Sequence, residues 1–223
     1  MTLDKVFYSK HGARVHNQHP EDAEKSIALF HNFPSVTYLN HEMKEIQLAP
    51  NQEGLQAKIR IFGSPYSPSK GTWAFGYAPD EAEALWDQIP ENLDILVTHT
   101  PPEGYCDRSR SGTRGGCSGL LAALARTKPY LHVCGHIHEA GGVEEIHWKT
   151  TSTASIQGLA DEHRELDELH PMEGADKSFD TRENSLVINA SIMATSWPYQ
   201  SRDGSLYRSP IVVDLDLPTF DHP

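Results

Sequence analysis

The chain has 223 residues, enough for one core of ordinary size. Nineteen Lys and Arg against 31 Asp and Glu leave a formal net charge of -12, which argues against a nucleic-acid surface, because phosphate neutralisation needs many cations. No apolar run reaches the length of a membrane span and the N-terminus lacks a signal-peptide core; three cysteines at unrelated spacings exclude a disulfide framework. Together these features predict a cytoplasmic chain.

In chain order, PEDAEKSIALFHN predicts a helix with Ala23, Ser26, Ile27 and Phe30 on one face. VTYL (36–39) and KEIQL (44–48) predict short strands, and QAKIRIFGSPYSP a strand running into a turn. PDEAEALWDQIP places Ala82, Leu85, Trp86 and Ile89 on a second helical face, with acids suited to the positive end of the dipole. LDILVTH is an apolar run ending at His99, and YLHVCGH another ending at His136. Between them GCSGLLAALARTKP presents Cys117, Leu120, Leu121 and Leu124 on a third helical face, stopped by Pro129. Two buried strands separated by a helix predict a parallel crossover unit. GVEEIHWKT, SLVINAS and SPIVVDLDL are strand candidates with no helix between them, which points to an antiparallel later part of the sheet. Residues 151–184 are acidic and aperiodic, the pattern of a flexible insertion, and 218–223 are expected to be a tail.

In open α/β sheets, ligands bind beyond the carboxyl ends of parallel strands. His99 and His136 both occupy that position, with His138 two residues on. Imidazole is the commonest neutral metal ligand. Gly135 and the glycines at 141 and 142 offer unusual backbone angles to the turn, and the hydroxyls of Thr98 and Thr100 flank His99 as candidates for orienting its ring.

The segments DILVTHTPP and LHVCGHIHEAGG, with GGCSGLL, VINAS, FGSPYSP and WAFGY, resemble the calcineurin-like metallophosphoesterases, in the branch with G-H-x-H-E and a late N-A-S. The resemblance spans most of residues 1–148 and 185–215. It implies an α/β fold in which two sheets form a sandwich flanked by helices, with residues 1–217 as one partial domain. It also implies two divalent ions (Mn, Fe or Zn) that bridge a hydroxide attacking a phosphate mono- or diester, a phosphodiester above all. By that resemblance His99 and His136 are ligands of one metal and His138 of the other. Cys117, at a helix N-terminus, is a candidate substrate contact or equally a small apolar helix residue. Asn189 and Ser191 are candidate hydrogen-bonding groups near the site or simply a strand-end turn, and Glu139 holds a histidine or is solvated.

The chain departs from the family upstream of His99. The early D-x-H, the G-D with the bridging aspartate and the G-N-H-D/E with the proton-donating histidine are all absent, so the catalytic acid is unknown. The LNHEMKE stretch at 39–45 lacks the preceding glycine and is a poor substitute. Met1 aligns where the family is already partway through its domain, so an N-terminal portion of roughly two βαβ steps of about 30 residues is expected to be missing. The strands ending at His99 and His136 are then expected to expose an edge and an apolar face open to partner pairing, and two-metal hydrolysis to be impaired, with one ion or none retained. Two alternatives stand beside an incomplete phosphoesterase: a non-catalytic binding or regulatory fragment, and a mononuclear zinc hydrolase built on the three histidines.

Overall fold

A computed structural model describes residues 3–15, 22–52, 54–71, 73–148, 183–194 and 206–220. Its centre is one mixed sheet in the order β1 (Glu42–Gln47), β2 (Gln56–Ser64), β5 (Ile95–Thr98), β6 (Leu131–Cys134), β8 (Asn184–Asn189), β7 (Gly142–His147), with β9 (Thr219–Phe220) pairing antiparallel with the start of β2. A two-stranded pair, β3 (Ser67–Pro68) and β4 (Gly76–Tyr77), stands apart. This is an α/β architecture, a mixed sheet with flanking helices consistent with a metallophosphoesterase-like fold; of the sandwich of two sheets that the resemblance implies, the described residues form one large sheet. Among the described residues the β3–β4 pair is the second sheet.

The predicted crossover is present. β5, helix α4 (Ser118–Thr127) and β6 follow one another, and β5 and β6 pair in parallel, Val97 opposite Val133. Alternation sends Phe62, Leu96, Cys134, Val187 and Ile146 to one face of the sheet. There they pack with Trp86 and Ile89 around helix α3 (Ala82–Trp86) and with Leu120, Ala123 and Leu124 of α4. Lys128 ends α4 in the left-handed conformation (φ 43), one residue before Pro129.

Several expectations are corrected. β5 lies between β2 and β6, and β6 between β5 and β8, so the strands that lead to the two histidines are interior. The sheet's edges are β1 and β7, which carry Glu42, Lys44 and Glu45, and Glu144 and Glu145, the kind of charge that discourages edge pairing. On the side away from α4, Val97 is 38% exposed in mid-strand, while Leu131 and Ile188 of the same face are buried. β8 is parallel to β6, so only its pairing with β7 makes that part antiparallel.

VTYL forms no strand, and neither does SPIVVDLDL. Thr219 and Phe220, expected in a tail, belong to β9, while 221–223 lie outside the described residues, as does the acidic stretch through residue 182. The helix expected after Pro20 is α2 (Ala23–His31), capped by Asp22, whose carboxylate accepts from the Glu24 and Lys25 N–H groups. Helix α1 (Lys5–Val15) was not anticipated. It starts at Asp4, which accepts from Phe7 N and, with its other oxygen, from Phe75 N, so that one carboxylate ties the helix to the β3–β4 turn.

Candidate functional site

Parallel register sets the site. The ladder between β5 and β6 runs on past the strands: Gly135 N donates to His99 O at 3.1 Å, which brings the next side chain, His136, against His99. His136 Nδ1 and His99 Nε2 stand 3.1 Å apart, with ring centroids at 4.7 Å. The turn is made at His136 itself. Its φ is 68, and Ile137 N closes on Gly135 O at 2.7 Å, a γ-turn of the strained hand. The unusual backbone angle expected of Gly135 thus falls on the histidine. His138 then opens a short 3-10 turn, His138–Ala140.

Partial burial pushes the His99 ring below the ordinary histidine range, reinforced by His138. Burial, with His99, Lys70 and His138 adding to it, brings His136 down to about 4. Both rings are therefore neutral at pH 7, the form that ligates metal. Trp73, 52% exposed on the β3–β4 turn, presents its ring edge-to-face to His136 at 5.6 Å. Trp73 opens the WAFGY segment, whose sequence carries no local signal of a place beside the histidines.

The other predicted residues serve the protein itself. Asn189 is fully buried: its amide donates to Cys106 O (3.1 Å) and Ile137 O (2.9 Å), and its Oδ1 accepts from Ser191 N (3.1 Å). A substrate contact through this side chain would break those bonds; its position is that of a brace under the residue between His136 and His138. Cys117 caps α4, its buried sulfur accepting from Leu120 N at 3.4 Å. Thr98 faces the core by strand alternation, so its hydroxyl meets His132 at 2.8 Å and donates to Thr100 O, and does not orient His99. His41 of LNHEMKE sits among Phe62, Tyr66 and Trp86 with Nδ1 on Ser64 Oγ and Nε2 on Leu85 O, both ring nitrogens used internally. Two residues that sequence reasoning missed complete the frame. Asp107 is buried and ion-paired with Arg114, and Arg208 reaches the His138 turn.

The donor set fits half a metal site. Metal–nitrogen bonds of about 2.1 Å would span the 3.1 Å gap between His99 and His136 at an angle of about 95°, suitable for two ligands of one ion. Among the described residues, however, no group of three or more His, Cys, Asp or Glu side chains gathers into a metal-holding set. The buried carboxylate of Asp107 is spent on Arg114 Nη1 and on the N–H groups of Gly104 and Gly116. The residues present thus do not fit a dinuclear centre. None of the described helices is long and apolar enough to cross a membrane.

No family model matches the chain. Among curated proteins it is 37% identical over 139 residues to metallophosphoesterase domain-containing protein 1 of Homo sapiens, covering 57% of this chain and 42% of that protein. A UPF0046 protein of Caenorhabditis elegans is 42% identical over 86 residues, 38% of this chain and 22% of its own length. A protein of Emericella nidulans named probable rhamnogalacturonate lyase C is 34% identical over 148 residues, 66% of this chain. Only 12% of that protein is matched, so its name describes a chain that lies mostly beyond the match. In each case the chain spans less than half of the relative's length. Two neutral histidines stand on the ends of adjacent parallel strands, and the relative named for its metallophosphoesterase domain supports a place for the chain in the metallophosphoesterase family.

Proposed function

We propose that this chain carries the imidazole half of a metal-dependent phosphoesterase site, in which His99 and His136 ligate one divalent ion and His138 belongs to the ligand set of a second that the described residues do not complete. The observation that carries the reading is the 3.1 Å apposition of the His99 and His136 nitrogens; the relative named for its metallophosphoesterase domain supports it. The reaction class is hydrolysis of a phosphate ester. A phosphodiester is favoured on charge grounds: it brings one negative charge where a monoester brings nearly two, and the chain is already at -12. Residues 1–217 form one domain in this reading, with the acidic stretch an insertion. Three free, buried cysteines suit the cytoplasm.

The test is metal binding by the whole chain, followed by calorimetry with Zn²⁺ and with Mn²⁺ and by hydrolysis of bis-p-nitrophenyl phosphate. One ion per chain, lost in His136→Ala and in His99→Ala, is the expected result. Equal metal binding by wild type and His136→Ala would falsify the assignment.

A second reading is a non-catalytic metallophosphoesterase-like binding or regulatory module. It is favoured by the His99–His136 pair gathering no third His, Cys, Asp or Glu ligand among the described residues. Phosphodiester binding that persists in EDTA, with no hydrolysis at any metal loading, distinguishes it.

A further inference from the structure

Arg208 stands after the antiparallel bridge between Met193 and Tyr207, where its own N–H donates to Ile192 O at 2.8 Å. From there its guanidinium crosses to the His138 turn. Nη1 donates to His138 O (2.5 Å) and Met193 O (3.2 Å), and Nη2 to Ala194 O (3.3 Å) and Glu139 O (3.5 Å). One planar fork thus takes two carbonyls from the turn and two from the segment after β8. Gly141 makes room for it. The φ of Gly141 is -61, open to any residue, but a Cβ there would run into the Arg208 guanidinium. The glycine of the A-G-G run is needed for this approach rather than for its backbone angle.

We propose that Arg208 is the positioning residue of the His138 turn, fixing the direction in which the His138 imidazole is presented beside the His99–His136 pair. The functional meaning rests on the metal reading above; the geometry does not. Carbonyl oxygens gathered in one place repel one another, and a guanidinium with donors in fixed directions holds them where a single ammonium cannot. Asn189 does the same from the other side by taking Ile137 O, so consecutive carbonyls from Ile137 to Glu139 are all held by side chains distant in sequence. His138 is left with little freedom except about its own side-chain torsions.

The experiment uses the whole 223-residue chain and three variants, Arg208→Gln, Arg208→Lys and Gly141→Ala. Gly141→Ala displaces the guanidinium while leaving Arg208 in the chain, and so stands in if Arg208→Gln fails to fold. Two readouts are metal-free: the ring resonances of His138, assigned with His138→Gln, and amide exchange at Gly141, whose N–H donates to His138 O. The third is affinity for Co²⁺ alone. Arg208→Gln and Gly141→Ala are expected to move the His138 ring signals and speed Gly141 exchange at least tenfold, with the buried His132 signals unmoved. Co²⁺ affinity should fall by roughly tenfold or more, and Arg208→Lys should not restore it. Unchanged His138 signals and exchange in a folded Arg208→Gln, or full rescue by Arg208→Lys, overturn the proposal. Failure of the wild type to bind Co²⁺ sinks the metal reading, while the two metal-free readouts still decide Arg208.

Discussion

The His132 ring donates from Nε2 to the Thr98 hydroxyl across 2.8 Å, inside a layer where His132 is wholly buried. The direction follows from Thr98, whose own proton goes to Thr100 O at 2.6 Å and which can therefore only accept from the ring. Nδ1 is left buried without a partner among the described residues. Burial alone pushes this histidine down to about 3 from 6.5. Above pH 6.5 neither folded nor unfolded chain protonates it. Below that, the unfolded chain takes a proton the folded one refuses, so stability falls as pH drops from 6.5 towards 3, by at most about 1.4 kcal/mol per pH unit. Urea unfolding of the wild type and of His132→Leu across this window checks it. His41, His99 and His136 are shifted the same way, so the expected result is a shallower slope in the variant; parallel slopes would refute the assignment.

His136 holds a φ of 68, a conformation that strains any residue but glycine. Replacing it by glycine removes both the ring and the strain, whereas alanine removes only the ring. His136→Gly should therefore be more stable than His136→Ala by about 1 kcal/mol, even though both lose the imidazole. Equal urea midpoints for the two variants would show that the surrounding turn, not residue 136, sets the angle.

How legible was this arrangement beforehand? The β5–α4–β6 unit was readable because apolar runs and a helical face of period 3.6 are local signals, and from it follows the meeting of His99 and His136. SPIVVDLDL shows where such signals stop. Ile211, Val213, Leu215 and Leu217 are half-buried and alternate with exposed Val212, Asp214 and Asp216, so the period of two is real, yet the segment finds no ladder. Ile211 and Val213 instead face Leu131, Val133 and Ile188 across a groove of about 490 Å³. Sequence alternation reports which side chains turn inward; it does not name a hydrogen-bonding partner. Arg208 and Asn189 were opaque for a related reason. They act on backbone carbonyls far along the chain, and a carbonyl has no sequence signature.

The Asp107–Arg114 pair carries the loop that packs on Ile137. Asp107 is 1% exposed and accepts from Arg114 Nη1 at 2.8 Å and from two glycine N–H groups, while a Cβ at Gly115 would touch the Ile137 side chain. Asp107→Ala strips a buried acceptor from all three donors and should cost about 3 kcal/mol. A double-mutant cycle with Asp107→Asn and Arg114→Gln should show coupling of at least about 1 kcal/mol by urea unfolding. Additive effects would mean that the loop is held by its other contacts.

Asn189 offers the sharpest contrast between two similar substitutions. Its amide protons face the Cys106 and Ile137 carbonyls, so Asn189→Ala leaves both acceptors unsatisfied and should cost about 2 kcal/mol. Asn189→Asp keeps the shape but turns an acceptor towards those carbonyls in a site with no exposure. An ionised carboxylate there is disfavoured by burial and by the facing oxygens, so the folded-state pKa of the new group lies above its unfolded value of about 3.9. Relative to Asn189→Ala, the aspartate variant should therefore lose stability as pH rises from about 4 to 8. That is opposite in sign to the His132 effect. Measuring both variants by urea unfolding at several pH values separates the two trends. A pH-independent difference between them would mean that the loop and turn open to let water reach residue 189, and that the brace under His136 and His138 is weaker than its three hydrogen bonds imply.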